Sequence, residues 1–216
     1  MVKAVIFDLD GTLLNTLADL ASSTNYALAH YGYPQRTIDE VRRFVGNGVA
    51  KLIERAVPKG TSEADVQRVL SCFKSHYLEH SLDTTVPYDG IMDMLSVLKK
   101  KGIATAIVSN KLDPAVRELH EHFFKELVDT AVGESSERKA KPSPDMVNEA
   151  LRRLGIDAES AVYVGDSEVD IMTARNAGMR CISVSWGFKT REFLVQNGAS
   201  SIADTVEELM EQIDRA

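Results

Sequence analysis

The chain has 216 residues, 44% of them hydrophobic, enough to bury a sizeable core in one domain with a large insertion or in two modest domains. Its formal net charge of −7 excludes a broad basic face for nucleic acid, so an anionic ligand must be held by a few local cations. Its two cysteines, Cys72 and Cys181, form neither a CxxC pair nor a Cys/His spacing suited to structural zinc, and no run of about 20 apolar residues is present to span a membrane. The start of the chain carries no cationic segment leading into a long apolar run, so a cytoplasmic protein with reduced thiols is expected.

Val2 to Phe7 is an uninterrupted apolar run and predicts a buried strand. It stops at Asp8-Leu9-Asp10-Gly11-Thr12, where two carboxylates stand one residue apart. Like charges this close repel, and a pair unable to release its charge into water shifts a pKa or recruits a cation. Asp-Gly after a strand also serves as a plain turn. From Leu14 to about Leu82 helical periodicity runs through turn signals at Tyr33-Pro34, Gly46-Asn47-Gly48 and Pro58-Lys59-Gly60 without a clear strand. Residues 15–83 are therefore expected to form an α-helical insertion, and residues 1–14 with 84–216 the domain that it interrupts. Two crossings of a short linker would let such an insertion move as a lid.

Beyond Pro87 the runs Ile103 to Ser109, Val128 to Gly133, Ala161 to Gly165 and Arg180 to Ser185 alternate with amphipathic stretches. That alternation predicts an α/β fold with a Rossmann-like parallel sheet. Ser143-Pro144 starts one of the helices and Gly155 stops it. Three strands end in polar residues: Asp8 and Asp10 after the first, Ser109 and Asn110 in "AIVSN", Asp166 and Asp170 in "VYVGDSEVD". In an open parallel sheet these carboxyl ends share one edge, so residues more than 150 positions apart can form one site. Several acids on one edge destabilise each other unless a cation lies between them, and oxygen-only ligands favour a hard ion such as Mg²⁺. His76 and His80 share a helix face but lack the glutamate of an HExxH site, which makes a solvated or satisfied pair the better reading. Lys141, in "AKPSPD", is placed to neutralise phosphate and carboxylate together, or else is a solvated loop lysine like Arg138 and Lys139.

The motifs "DLDGT", "VSN", the lysine of "KPSP" and "GDSEVD" resemble, in order and spacing, the haloacid dehalogenase-like hydrolase superfamily over nearly the whole chain. The helical insertion resembles that superfamily's C1-type cap, and "DGTLLNT" with "VGNGVAKLIERAV" looks most like phosphoglycolate phosphatases. The resemblance implies a phosphatase for small phosphate monoesters, with 2-phosphoglycolate first among substrates. Asp8 would be the nucleophile that forms an aspartyl-phosphate, and Asp10 the acid and base serving leaving group and water. Mg²⁺ would be held by Asp8, the Asp10 carbonyl and Asp166, with Asp170 behind them holding a metal-bound water or Lys141. Ser109, Lys141 and the Asn110 N–H would bind phosphoryl oxygens, alongside Gly11 and Thr12.

In the cap, Arg42, Arg43 and the backbone around Gly46, Asn47 and Gly48 offer a place for a substrate carboxylate, although a solvated helix end followed by a turn explains the arginines equally well. Asn15 departs from the Asp usual in this family at the link into the cap, a change that touches hinge or substrate contacts rather than phosphoryl chemistry. Lys51 is the only lysine between Thr37 and Pro58 and the one candidate for a Schiff-base cap lysine, a role that Asp10 argues against. Two alternatives share the resemblance: a β-phosphoglucomutase-like isomerase, and a non-catalytic phosphate-binding protein. The expected partner is a small phosphorylated metabolite, with no nucleic acid or membrane involved, and the sequence carries no signature of an oligomeric state.

Overall fold

The computed structural model describes residues 2–216. In chain order it runs β1 (Ala4–Phe7), β2 (Leu14–Asn15), α1 (Leu17–His30), α2 (Ile38–Phe44), α3 (Val49–Ala56), α4 (Glu63–His80) and β3 (Val86–Pro87). It continues through α5 (Ile91–Lys100), β4 (Ala104–Leu112), α6 (Asp113–Leu119), β5 (Thr130–Glu134), α7 (Asp145–Leu154) and β6 (Ala161–Gly165). The last elements are α8 (Glu168–Asn176), β7 (Arg180–Val184), α9 (Arg191–Gln196), β8 (Ile202–Ala203) and α10 (Val206–Arg215). Two compact units result: an α/β unit built from the chain up to Leu14 and Pro87–Ala216, and a helical cap of Asn15–Val86.

The α/β unit holds a parallel six-stranded sheet in the order β5-β4-β1-β6-β7-β8. All four residues of β1 are buried, as a central strand covered on both faces requires. Alternation divides them between the two faces. Ala4 and Ile6 join Ala106, Val108, Val132 and Tyr163 in a core closed by Met146, Val147 and Ala150 of α7 and Ala174 of α8. The other face is covered by α5 and α10, which pack on each other. Helix α7 begins at Asp145, with Pro144 just outside it, and Gly155 ends it in the left-handed conformation that a side chain would strain.

The cap is stabilised within itself. Thr37 and Glu40 form a reciprocal capping box at the start of α2, and the Ser62 hydroxyl accepts from the Asp65 N–H at the start of α4. Asn15 Oδ1 accepts from the Leu17 N–H at the start of α1, which gives this departure from the family pattern a local structural task. Asp19 of α1 is buried and accepts hydrogen bonds from the N–H and the hydroxyl of both Thr84 and Thr85, at 2.5–3.1 Å. Those bonds tie Thr84 and Thr85 to the helices of the compact unit Asn15–Val86. The histidines of α4 are satisfied: His76 Nδ1 lies 3.0 Å from the Ser23 hydroxyl, and His80 Nδ1 lies 2.8 Å from Asp83. Both cysteines are free and half-buried, and Cys181 packs against the core cluster. Among the described residues no helix is long and apolar enough to cross a membrane.

Asp19→Ala would leave four donors without their acceptor, two of them on a buried threonine. It is expected to destabilise the protein by roughly 2–3 kcal/mol, the usual loss for buried hydrogen bonds to a charged group. Urea unfolding followed by circular dichroism measures this, and Asp19→Asn should recover part of the loss.

Candidate active site

Strand β1 lies between β4 and β6, and the chain leaves all three at the same edge of the sheet. Asp8 follows β1 directly, and its N–H donates to the Val164 carbonyl on β6 at 2.8 Å. Leu9 is fully buried, since alternation along the extended chain sends it away from the face on which both acids stand. The turn after it is closed by the Leu9 carbonyl, which accepts from Thr12, Leu13 and Leu14 at 3.0–3.3 Å. Gly11 takes φ 84° there, and a Cβ on it would lie 2.4 Å from Asp166 Oδ2. Only glycine allows the turn and the acid to approach so closely.

On β4 the pairing with β5 shifts between Val108 and Leu112, a stretch that contains Ser109, Asn110 and Lys111. Such an irregularity frees side chains from strict alternation and re-aims them. The Asn110 side chain grips the backbone of Lys141, accepting from its N–H at 2.6 Å and donating to its carbonyl at 3.1 Å. Held this way, the buried Lys141 ammonium lies 2.8 Å from Asp8 Oδ1 and 2.8 Å from Asp170 Oδ1, and donates to the Tyr163 hydroxyl at 3.1 Å. Tyr163 in turn donates to Asp170 Oδ1 at 3.0 Å. Asp170 is fully buried and its other oxygen accepts from the Ser167 N–H and hydroxyl at 3.1 and 2.6 Å, closing the start of α8. Asp166, after β6, accepts from the Phe188 N–H at 2.6 Å. Ser109 Oγ accepts from the Lys111 N–H at 3.2 Å.

Carboxylate oxygens of Asp8, Asp166 and Asp170 all lie within 4.8 Å of one another, and all three residues are buried. One ammonium balances only one negative charge, and the remainder appears as shifted acidity. Burial, with the Asp170 charge behind it, raises Asp8 to about 7 against the pull of Lys141. Burial and the charges of Asp170 and Asp8 hold Asp166 well above the ordinary carboxylate range. Burial pulls Lys141 down, but Asp170 and Asp8 outweigh it and hold the ammonium well above its usual value. A cluster of oxygen donors with this deficit of positive charge fits a hard divalent cation.

Asp8, Asp10, Gly11, Thr12, Ser109, Asn110, Lys141, Asp166 and Asp170 thus all belong to the α/β unit, at the carboxyl edge of its sheet. Arg42, Arg43, Gly46, Asn47 and Gly48 belong to the cap. There Arg42 is exposed and 4.0 Å from Asp39, while Asn47 Oδ1 accepts from Arg55 at 2.7 Å. Gly48 precedes α3 with φ 84°. Lys51 pairs with Glu54 at 2.6 Å and is more than half exposed, a setting without the desolvation that makes a lysine nucleophilic.

Several participants have no signature in the sequence. Tyr163 reads as an ordinary core residue of β6, yet its hydroxyl completes the Lys141–Asp170 contact. Gly187 stands where a Cβ would lie 2.3 Å from the Gly11 carbonyl and 2.4 Å from Asp166 Oδ2. Lys111 is 4% exposed and forms an ion pair with Asp10 Oδ1 at 2.7 Å. The available signal was a lysine two residues beyond the apolar run Ile103 to Ser109.

The family description "haloacid dehalogenase-like hydrolase" matches residues 5–184. The chain belongs to the haloacid dehalogenase-like hydrolase family. Phosphoglycolate phosphatase 1 of Pseudomonas aeruginosa is 30% identical to it, the match covering 99% of this chain and 80% of that protein. A provisionally named phosphoglycolate phosphatase from Lactobacillus delbrueckii subsp. bulgaricus is 39% identical and superposes with a TM-score of 0.94 over 98% of each chain. A mutant of CbbY from Rhodobacter sphaeroides, in complex with xylulose-(1,5)bisphosphate, is 29% identical with a TM-score of 0.70 over 95% of each chain. As a haloacid dehalogenase-like hydrolase similar to phosphoglycolate phosphatases, the chain is a phosphoric monoester hydrolase.

The raised pKa of Asp8 fixes the sign of a pH effect. An unfolded aspartate titrates near 3.8 and the folded one near 7, so the folded chain holds the extra proton between those values. The associated stability is present below the lower value and is lost as pH rises through the upper one. In metal-free protein, the melting temperature of Asp8→Asn minus that of the parent should therefore rise between about pH 5 and about pH 8. Differential scanning fluorimetry reads the difference.

Proposed function

We propose that the protein is a Mg²⁺-dependent phosphatase of small phosphate monoesters that works through an aspartyl-phosphate, with 2-phosphoglycolate as its leading substrate. The observation that carries this reading is the buried Lys141 ammonium at 2.8 Å from both Asp8 and Asp170, beside Asp166. Asp8 is the only one of these acids that immediately follows the central strand, and the turn beyond it brings Asp10 to the same edge. The names of the P. aeruginosa relative and the L. delbrueckii structure support phosphoglycolate as the first substrate to try.

In this mechanism a carboxylate oxygen of Asp8 attacks phosphorus in line with the ester oxygen. The P–O bond to the leaving group breaks as Asp10 gives that oxygen a proton. Asp10 then takes a proton from a water that attacks the aspartyl-phosphate, which releases inorganic phosphate and returns Asp8 as a carboxylate. Lys141 and Ser109 bind the non-bridging oxygens as charge accumulates, and they are already held in place by Asn110, Tyr163 and the β4 irregularity. Asp8, Asp166 and the Asp10 carbonyl would hold Mg²⁺, with Asp170 behind them holding Lys141. When bound, the cation supplies the positive charge that keeps the buried acids ionised and offsets charge on the phosphoryl group.

A panel of small phosphate monoesters assayed for phosphate release, with Mg²⁺ and with excess EDTA, tests the reading. Turnover should need the metal and be fastest with compact leaving groups. Asp8→Asn should lower kcat by roughly 10³-fold or more, as loss of a nucleophile does. Full activity in that variant, or no phosphate release from any ester by the parent, would refute the proposal.

A further inference from the structure

The α/β unit buries two ammonium groups at its carboxyl edge, and the chemistry above uses one. Lys141 stands on the side of Asp8. Lys111 stands on the side of Asp10, with its side chain 3% exposed and Nζ 2.7 Å from Asp10 Oδ1. Lys111 reaches that place because the pairing of β4 with β5 is irregular around it. A lysine at a regular position would serve its strand, and burying its charge here costs free energy that only a partner offsets. Within the phosphatase reading, on which this inference rests, Asp10 faces the ester oxygen of the leaving group. A cation held on Asp10 therefore lies on the leaving-group side of the reaction, and nothing in phosphoryl transfer itself calls for one there.

We propose that Lys111 reads the leaving group: its ammonium pairs with a carboxylate carried on the alcohol, so that the enzyme selects phosphate esters of 2-hydroxy acids. The charges match. Lys111 pairs with the Asp10 carboxylate, and a substrate carboxylate that takes over that contact brings the ammonium one negative charge, as Asp10 does. A second phosphate group would bring about two negative charges to the same single ammonium. The arrangement is also short-ranged. In a 2-hydroxy acid ester the carboxylate carbon is two bonds from the ester oxygen, so acid catalysis at that oxygen and recognition of the carboxylate fall to neighbouring groups. Lysine suits this role as a compact point charge on a flexible stem, able to follow one carboxylate oxygen from Asp10 to the substrate.

The test compares 2-phosphoglycolate with 2-phosphoglycolamide, an analogue of the same shape in which an uncharged amide replaces the carboxylate, and with ethylene glycol bisphosphate. The parent should prefer the acid over the amide in kcat/KM by about tenfold to a hundredfold, the range expected for one charge-assisted contact. Lys111→Met should bring that ratio close to one, chiefly by raising KM for the acid, while Lys111→Arg should keep most of the preference. Equal loss on acid and amide in Lys111→Met would assign Lys111 to holding Asp10 alone and overturn the inference. If Lys111→Met does not fold, equal kcat/KM of the parent for acid and amide overturns it without the variant. A parent preference for the bisphosphate over the acid would overturn the carboxylate assignment. A parent inactive on all three and on the wider ester panel would remove the phosphatase reading and this inference with it, whereas activity without acid preference removes the inference alone.

Discussion

Three carboxylates in a space under 5 Å across cannot all keep their charge in a protein interior, and the fold places one ammonium among them. Lys141 sits between Asp8 and Asp170 and offsets one negative charge, which leaves the cluster short of positive charge by design of its geometry. Burial, together with that shortfall, explains why Asp8 and Asp166 resist ionisation in the chain by itself. The same shortfall is what makes the cluster receptive to a divalent cation and to the electropositive phosphorus of an ester. Catalytic capacity and local instability are thus two consequences of one arrangement.

Much of the surrounding structure serves to hold that lysine and those acids still. Asn110 fixes the backbone of Lys141 with two hydrogen bonds, although its own backbone N–H is the group first expected to matter. Tyr163 links the ammonium to Asp170, and Ser167 fixes the far oxygen of Asp170 while starting α8. The same residue therefore begins a helix and orients a charge. Gly11 and Gly187 matter for what they lack, since a methyl group at either would occupy the space of Asp166. Preorganisation of this kind costs folding stability, and the closely packed sheet beneath, with β1 wholly buried, offsets it.

On the proposed reading, the two lysines divide the edge into a phosphoryl side and a leaving-group side. Lys141 answers the charge that every phosphate ester brings, whereas Lys111 answers what only some of them carry. Such a division lets the α/β unit hold general chemistry and part of its selectivity on adjacent residues of one sheet edge. The cap, with its own buried anchor at Asp19, is stabilised independently of that edge.

The apolar runs, their alternation with amphipathic stretches and the acids at strand ends were enough to predict a parallel sheet with its chemistry on one edge, because those features are local and periodic. Asp8, Asp10, Ser109, Asp166 and Asp170 stood out as candidates because each follows or closes an apolar run where more core is expected, whereas Lys141 stood out only through its place in the set of motifs. Lys111, Tyr163 and Gly187 did not, since a lysine after a strand, a tyrosine in a core and a glycine in a loop each have common local explanations. The contact of Thr84 and Thr85 with Asp19 was illegible for a related reason, as only the fold brings them together. Sequence by itself determined which residues carry the charge and the donors. Tertiary structure alone decided which charges meet, because electrostatic partnership depends on distance in space, and here it joins residues up to 162 positions apart by sheet order rather than by chain order.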